Sequence, residues 1–213
     1  MKLKFFKINI EFEIIFLIVF FVFIFSNTVK KILFSFYICY LFIIFHELAH
    51  LTIAIIFGKE IERFKFSLSG VCIEFKKKRF DLSSKFKTKI ENLEEVILYF
   101  AGPISNIILA YIFSDNRMIY EINIVFALIN LLPIFPLDGY NILDNILEFF
   151  DVKYKKRQAF LSIISKILIY ILILLGIIQL LFLFNPSIII FSIYVFLIQN
   201  NNNKRQKFAN YSI

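Results

Sequence analysis

The two histidines of this 213-residue chain, His46 and His50, stand four residues apart in the segment HELAH. Residues with this spacing share one face of a helix, so both imidazoles can reach one metal ion. Glu47 follows the first histidine and projects to the side of the pair, where it can accept a proton from a water activated by the metal. The HExxH pattern therefore predicts a metal site with a general base beside it.

The simpler alternative is that both histidines are packing residues whose hydrogen bonds are satisfied inside the protein. They lie, however, within an apolar stretch that is long enough to cross a membrane, at residues 32–57. Ionisable groups at that depth are costly to bury and usually functional. We therefore favour the metal site.

A catalytic zinc ion takes three protein ligands and leaves a fourth position for water. The chain has no third histidine, and Cys39 lies about 10 Å from His46 along a helix axis, too far to share the ion. Asp138 is the preferred third ligand, because two prolines and a glycine break the helix around it and free its carboxylate to turn toward a partner helix. The rival Asp144 would lie roughly 9 Å deeper in a helix, which indicates an interfacial residue.

Composition excludes an ordinary soluble enzyme, a disordered chain and a collagen-like chain. Hydrophobic residues make up 60% of the sequence and the mean hydropathy is +0.79, whereas soluble domains have about 45–50% apolar residues. The net charge of +8 is better explained by basic loops on one side of a membrane than by a nucleic-acid partner. The two cysteines do not indicate a disulfide framework.

We predict an all-α polytopic membrane protein with about six transmembrane helices in one membrane-embedded domain, residues 1–199, whose core is 32–150. A polar, basic tail follows at 200–213. Residues 61–75 alternate apolar and polar, which predicts a small β-hairpin that turns at Ser69-Gly70. The predicted spans are 12–28, 32–57, 93–113, 122–148, 159–184 and 187–199.

Loop charges predict the orientation. With a cytoplasmic N-terminus, twenty Lys and Arg residues fall in the cytoplasmic segments and three on the opposite side, so both termini and the hairpin are expected in the cytoplasm. In this topology the second and fourth spans both start from the outer side. Helix rise then places His46 and His50 about 21–27 Å along their span and Asp138 about 24 Å along its own, at one level.

Three motifs follow one another along the chain: HELAH at 46–50, AGPISN at 101–106, and Asn130 with Pro133 and the PLDG sequence at 136–139. In this order they resemble the site-2 proteases, which are intramembrane zinc metalloproteases. The layout and the PLDG sequence are similar to the sporulation branch of that family, the branch of stage IV sporulation protein FB.

The resemblance implies that His46, His50 and Asp138 bind Zn²⁺ and that Glu47 is the general base. It implies that Asn130 orients substrate or stabilises the oxyanion. It also implies that the hairpin binds an extended substrate segment by strand addition. Without the resemblance, Ser105 and Asn106 would be read as hydrogen-bonding residues between packed helices.

The same resemblance implies a membrane-associated substrate, with a pro-sigma factor cleaved during sporulation as the favoured one, and inhibitory partner membrane proteins. The expected location is the bacterial plasma membrane or the outer forespore membrane, and an oligomer is possible. Leu137 and Tyr140 depart from residues common in the family, and we expect no CBS or PDZ domain. The alternatives are a general intramembrane protease for anti-sigma factors or signal-peptide remnants, and a membrane zinc-binding protein without peptidase activity.

Overall fold

The computed structural model describes residues 2–5, 8–12, 27–59, 61–67, 70–75 and 85–211. The chain divides into two compact units. The first comprises residues 1–84 and 97–128, and the second comprises 85–96 and 129–213.

Six helices account for most of the described chain. Helix α1 ends just before Gly58, whose φ of 65° lies in the left-handed region that favours glycine at a helix terminus. Helix α5 ends before Phe184, which also has a positive φ, and Asn185-Pro186 then separates it from the next helix. The helices are α1 Asn27–Ile56, α2 Lys85–Ile112, α3 Arg117–Asn130, α4 Asp138–Phe149, α5 Tyr154–Leu183 and α6 Ser187–Tyr211.

Three of these helices contain stretches long and apolar enough to cross a membrane, and a shorter apolar helix covers Ser187–Asn200. Large apolar side chains such as Ile56, Leu181 and Phe182 are exposed on them, as expected of surfaces that face lipid. The predicted mainly helical membrane fold is therefore confirmed. The three stretches are Tyr37–Ile56, Lys89–Ile112 and Tyr154–Leu183, which correspond to the predicted second, third and fifth spans. Most of the predicted first span, residues 13–26, lies outside the described residues.

A four-stranded sheet has the strand order β1-β2-β3-β4. Its last two strands form the hairpin expected at 61–75. Gly70, which was predicted as a turn residue, instead begins β4 and pairs with Ser67, and residues 68–69 lie outside the described residues. The sequence analysis missed the first two strands, of which β2 pairs with β3 in parallel. The strands are β1 Lys2–Phe5, β2 Ile8–Phe12, β3 Ile61–Ser67 and β4 Gly70–Phe75.

The first unit contains the sheet, α1, α2 from Ile97 onward and most of α3. Its helices bury small side chains: Ala54, Ala110 and Ala127 are each at most 1% exposed. Small residues let helix backbones approach closely, which is the usual way that membrane helices pack. Strand β4 contacts α1, the helix that carries the HELAH segment.

The second unit contains the first residues of α2 together with α4, α5 and α6. The predicted break in the fourth span is present, because α3 ends at Asn130 and α4 begins at Asp138. Between them, Ile134 is fully buried against Ile169 of α5 and Val195 of α6. The irregular segment is therefore anchored in a packed core.

The predicted polar tail continues the last helix rather than forming a separate segment. Helix α6 extends to Tyr211. No glycine or proline occurs after Ser187 to stop the helix, and Lys, Arg and Gln are good helix formers.

Candidate metal centre

Helix α1 places both histidines on one buried face. His46 is 5% exposed and His50 is 6% exposed. Their ring centroids lie 4.7 Å apart, and their Nε2 atoms are 3.1 Å from each other. The spacing of four residues thus brings the two imidazoles together, as the sequence predicts.

The other ring nitrogen of each histidine has a protein partner. Nδ1 of His50 lies 2.7 Å from the main-chain carbonyl oxygen of Leu98, and Nδ1 of His46 lies 2.6 Å from Oδ1 of Asn106. Because both partners are acceptors, each Nδ1 carries the proton and donates it. Each Nε2 is therefore unprotonated, and it faces the other ring.

At 3.1 Å from each other, the two Nε2 atoms are close enough to bind one metal ion. Neutral imidazoles whose Nδ1–H groups are held by acceptors are the form in which histidines bind metals. Asp138, which belongs to the second unit, is the third ligand predicted from the sequence. This donor set of two imidazoles and one carboxylate suits a catalytic zinc ion.

Gly102 in α2 leaves the room that the two imidazoles occupy. A Cβ atom added at this position would overlap Nε2 of both His46 and His50, closer than any real Cβ contact. The glycine of the AGPISN segment is thus explained by close approach of its backbone to the histidine pair. The sequence alone does not indicate this approach, because the glycine stands out there only as part of the AGPISN segment.

Asp138 is positioned by backbone geometry. It is the first residue of α4 and is half-buried, and the partial positive charge of a helix N-terminus favours a carboxylate there. A Cβ at Gly139 would overlap the Leu131 carbonyl oxygen, so this tight approach requires glycine. Ser165 of α5 donates a hydrogen bond of 2.8 Å to the Pro133 carbonyl and ties down the segment before Asp138.

The two remaining predicted site residues, Glu47 and Asn130, are near these ligands in the sequence. Glu47 follows His46 on α1, and Asn130 is the last residue of α3 before the break; both are half-buried and both have interaction partners. Asn123, which the sequence analysis did not select, is fully buried and hydrogen-bonded to Asn106. An asparagine in an otherwise apolar stretch is the signal that could have identified it.

The rival ligand Asp144 has a different role. Its Oδ1 atom lies 2.5 Å from Nε of the buried Arg157 and 3.3 Å from Nε2 of Gln158. The same guanidinium pairs with Glu148 at 2.8 Å. Asp144 is therefore part of an ion-pair network between α4 and α5.

Comparison with known proteins gives two positive findings. Residues 117–175 match Peptidase family M50. The fold is similar to that of the structure titled Site-2 Protease from Methanocaldococcus jannaschii, with a TM-score of 0.62, 23% sequence identity, and coverage of 94% of each chain. No protein of curated function matches the chain in sequence.

The family match covers residues 117–175, and the fold is similar to that of a membrane metalloprotease. The resemblance seen in the sequence motifs is confirmed.

Proposed function

We propose that the chain is an intramembrane zinc endopeptidase in which His46, His50 and Asp138 hold the ion and Glu47 is the general base. The observation that carries this proposal is the approach of the Nε2 atoms of His46 and His50 to 3.1 Å while acceptors hold both Nδ1–H groups. Asp138 enters the proposal as the third ligand predicted from the sequence. A bound zinc ion supplies Lewis acidity, which lowers the pKa of water to about 7 and polarises the peptide carbonyl.

The residues of the chain perform the proton transfers. Glu47 accepts a proton from the attacking water and passes it to the amine that leaves when the peptide C–N bond breaks. Asn130 can donate its amide hydrogens to the substrate carbonyl oxygen, which gains negative charge in the transition state. The products are a new carboxylate terminus and a new amine terminus, so the reaction consumes one water and no other reactant.

The sheet limits where an extended substrate can add as a strand. Strands β2 and β3 each have a neighbour on both sides, so β1 and β4 are the two edges of the described sheet. Of these two edges, β4 belongs to the predicted hairpin and contacts α1, the helix of the HELAH segment. We therefore favour the β4 edge for strand addition, in which main-chain hydrogen bonds bind a substrate segment that has left its helical form.

The favoured substrate is a membrane-associated pro-protein, specifically a pro-sigma factor cleaved during sporulation, with inhibitory membrane proteins as further partners. Support comes from the motif order, from the PLDG sequence at 136–139 and from the basic loops that indicate cytoplasmic termini. The plasma membrane or the outer forespore membrane would hold the enzyme. The alternatives remain an intramembrane protease with anti-sigma factors or signal-peptide remnants as substrates, and a zinc-binding membrane protein without peptidase activity.

Co-expression with the pro-sigma factor of the same organism tests this proposal. Cleavage is followed by gel mobility for the wild type, for Glu47→Gln and for the matched control Glu121→Gln, which changes an exposed glutamate paired with Arg117. We expect cleavage by the wild type and the control and none by Glu47→Gln.

Three other results separate the alternatives. Cleavage by Glu47→Gln would remove the proposed general base. Cleavage of an anti-sigma factor or a signal-peptide remnant, with the pro-sigma factor left intact, would replace the substrate and keep the mechanism. Zinc binding without cleavage of any of these proteins would favour the non-peptidase alternative.

A further inference from the structure

A buried chain of polar groups leads away from His46. Its Nδ1 atom lies 2.6 Å from Oδ1 of Asn106, the Asn106 amide Nδ2 donates to Oδ1 of Asn123 at 3.0 Å, and Nδ2 of Asn123 donates to the main-chain carbonyl of Ile119 at 3.0 Å. Both asparagines are 0% exposed. The chain joins α1, α2 and α3 and ends on a main-chain acceptor.

The last acceptor determines the direction of every hydrogen bond in this chain. A carbonyl oxygen only accepts, so Asn123 must turn its NH₂ group to Ile119 and its oxygen to Asn106. Asn106 must then turn its NH₂ group to Asn123 and its oxygen to His46. His46 consequently carries its proton on Nδ1 and keeps the lone pair on Nε2, the atom that faces His50.

We infer that Asn123 is a positioning residue of the metal centre, because it orients the Asn106 amide and thereby sets the tautomer of His46. This inference rests on the metal site proposed above. His50 needs no such relay, because its Nδ1–H donates directly to the Leu98 carbonyl, which cannot turn around. An asparagine beside His46 can present either oxygen or NH₂, and only the first prepares the imidazole to bind a metal.

A plain packing role for the two asparagines makes a different prediction. If they only join helices, replacing Asn123 lowers stability and leaves zinc affinity unchanged. If Asn123 orients the Asn106 amide, replacing Asn123 allows Asn106 to turn its NH₂ group to His46. This orientation favours the His46 tautomer with the proton on Nε2. Zinc must then displace that proton, so its affinity falls.

The test measures Zn²⁺ affinity by chelator competition on the full-length protein purified in detergent. For Asn123→Leu we expect a loss of about 10- to 100-fold, the usual effect of removing a group that orients a metal-binding histidine. Asn145→Leu is the matched control, because Asn145 also donates to the carbonyl four residues before it in its own helix, at 2.8 Å, and lies outside the chain of polar groups. We expect wild-type affinity for this control.

Rescue by a second substitution separates direction from packing. In Asn106→Asp/Asn123→Leu the carboxylate accepts from Nδ1 of His46 whichever way it turns, so it needs no director. We expect the double variant to regain the affinity that Asn123→Leu loses, and Co²⁺ absorption spectra to regain the wild-type form. If the leucine variant does not fold, Asn123→Ala is compared with Asn106→Asp/Asn123→Ala instead, because alanine adds no side-chain volume at position 123.

The possible results are distinct. Wild-type zinc affinity in Asn123→Leu would overturn the inference, and so would weakened affinity that Asn106→Asp does not restore. Failure of the wild-type protein to bind zinc would overturn the proposed metal site together with this inference. Binding by the wild type that depends on His46 and His50 but not on Asn123 would leave the proposed function intact and remove the relay alone.

Discussion

The histidine side and the aspartate side of the candidate metal centre are held by different means. His46 and His50 are oriented by hydrogen bonds to Asn106 and to a main-chain carbonyl. Asp138 is presented by a backbone break whose residues are locked by close packing and by one serine hydroxyl. We therefore expect substitutions on the histidine side to reduce metal binding and leave the fold intact. Substitutions on the aspartate side should reduce both metal binding and stability.

The largest expected effect is on the cleavage rate, and it comes from replacing Glu47, which follows His46 on the histidine side. Glu47→Gln keeps the size of the side chain and removes its ability to accept a proton. We expect the cleavage rate to fall by about 10²–10⁴-fold, with zinc content and thermal stability unchanged. Cleavage kinetics and metal analysis on the same preparation check this, and a parallel loss of zinc would contradict the assigned role.

The next effect concerns the core under the break that presents Asp138. Ile134→Ala leaves a cavity where the side chain packs fully buried against Ile169 and Val195. We expect the free energy of unfolding to fall by about 2–5 kcal/mol and zinc affinity to fall with it. Denaturant titration in detergent, with Ile163→Ala as an exposed control on α5, checks the expectation. An unchanged unfolding free energy would contradict the claim that the break is anchored there.

Two glycine substitutions compare the two sides directly. Gly102→Ala would place a methyl group against Nε2 of both histidines, which can move, so zinc affinity should fall more than stability. Gly139→Ala would place it against the Leu131 carbonyl, which cannot move without unwinding the turn, at a stability loss of about 1–3 kcal/mol. Paired melting and zinc-affinity measurements test this; the same profile in both variants would break the distinction.

The smallest effect comes from the hydroxyl that ties α5 to the break. Ser165→Ala removes the hydrogen bond to the Pro133 carbonyl. We expect a loss of about 1 kcal/mol in unfolding free energy and a small rise in KM. Ser192→Ala is the control, because Ser192 donates to the Ile188 carbonyl within its own helix. Equal losses in the two variants would show that Ser165 has no special part in holding the break.

The local features of the site could be predicted from the sequence. The spacing of His46 and His50, the break around Asp138 and the alternation at 61–75 are short-range patterns, and each has its counterpart in the structure. Their physics is local, because helix periodicity, proline geometry and strand alternation act over a few residues.

The features that were missed depend on contacts between distant segments. The acceptor for His46 lies sixty residues along the chain, and β2 pairs in parallel with β3, for example Asn9 with Arg63. No local rule selects such partners. Strands β1 and β2 themselves alternate apolar and polar residues over four and five positions, a local signal that could have predicted them, whereas their pairing could not be read from the sequence.

The central claim is that His46, His50 and Asp138 hold one zinc ion that serves a cleavage dependent on Glu47. Zinc content per chain, measured on purified wild type, Glu47→Gln and Asp138→Ala, tests this claim most directly. The account predicts equimolar zinc in the wild type and in Glu47→Gln, and little zinc in Asp138→Ala. Equimolar zinc in Asp138→Ala, or none in the wild type, would contradict it.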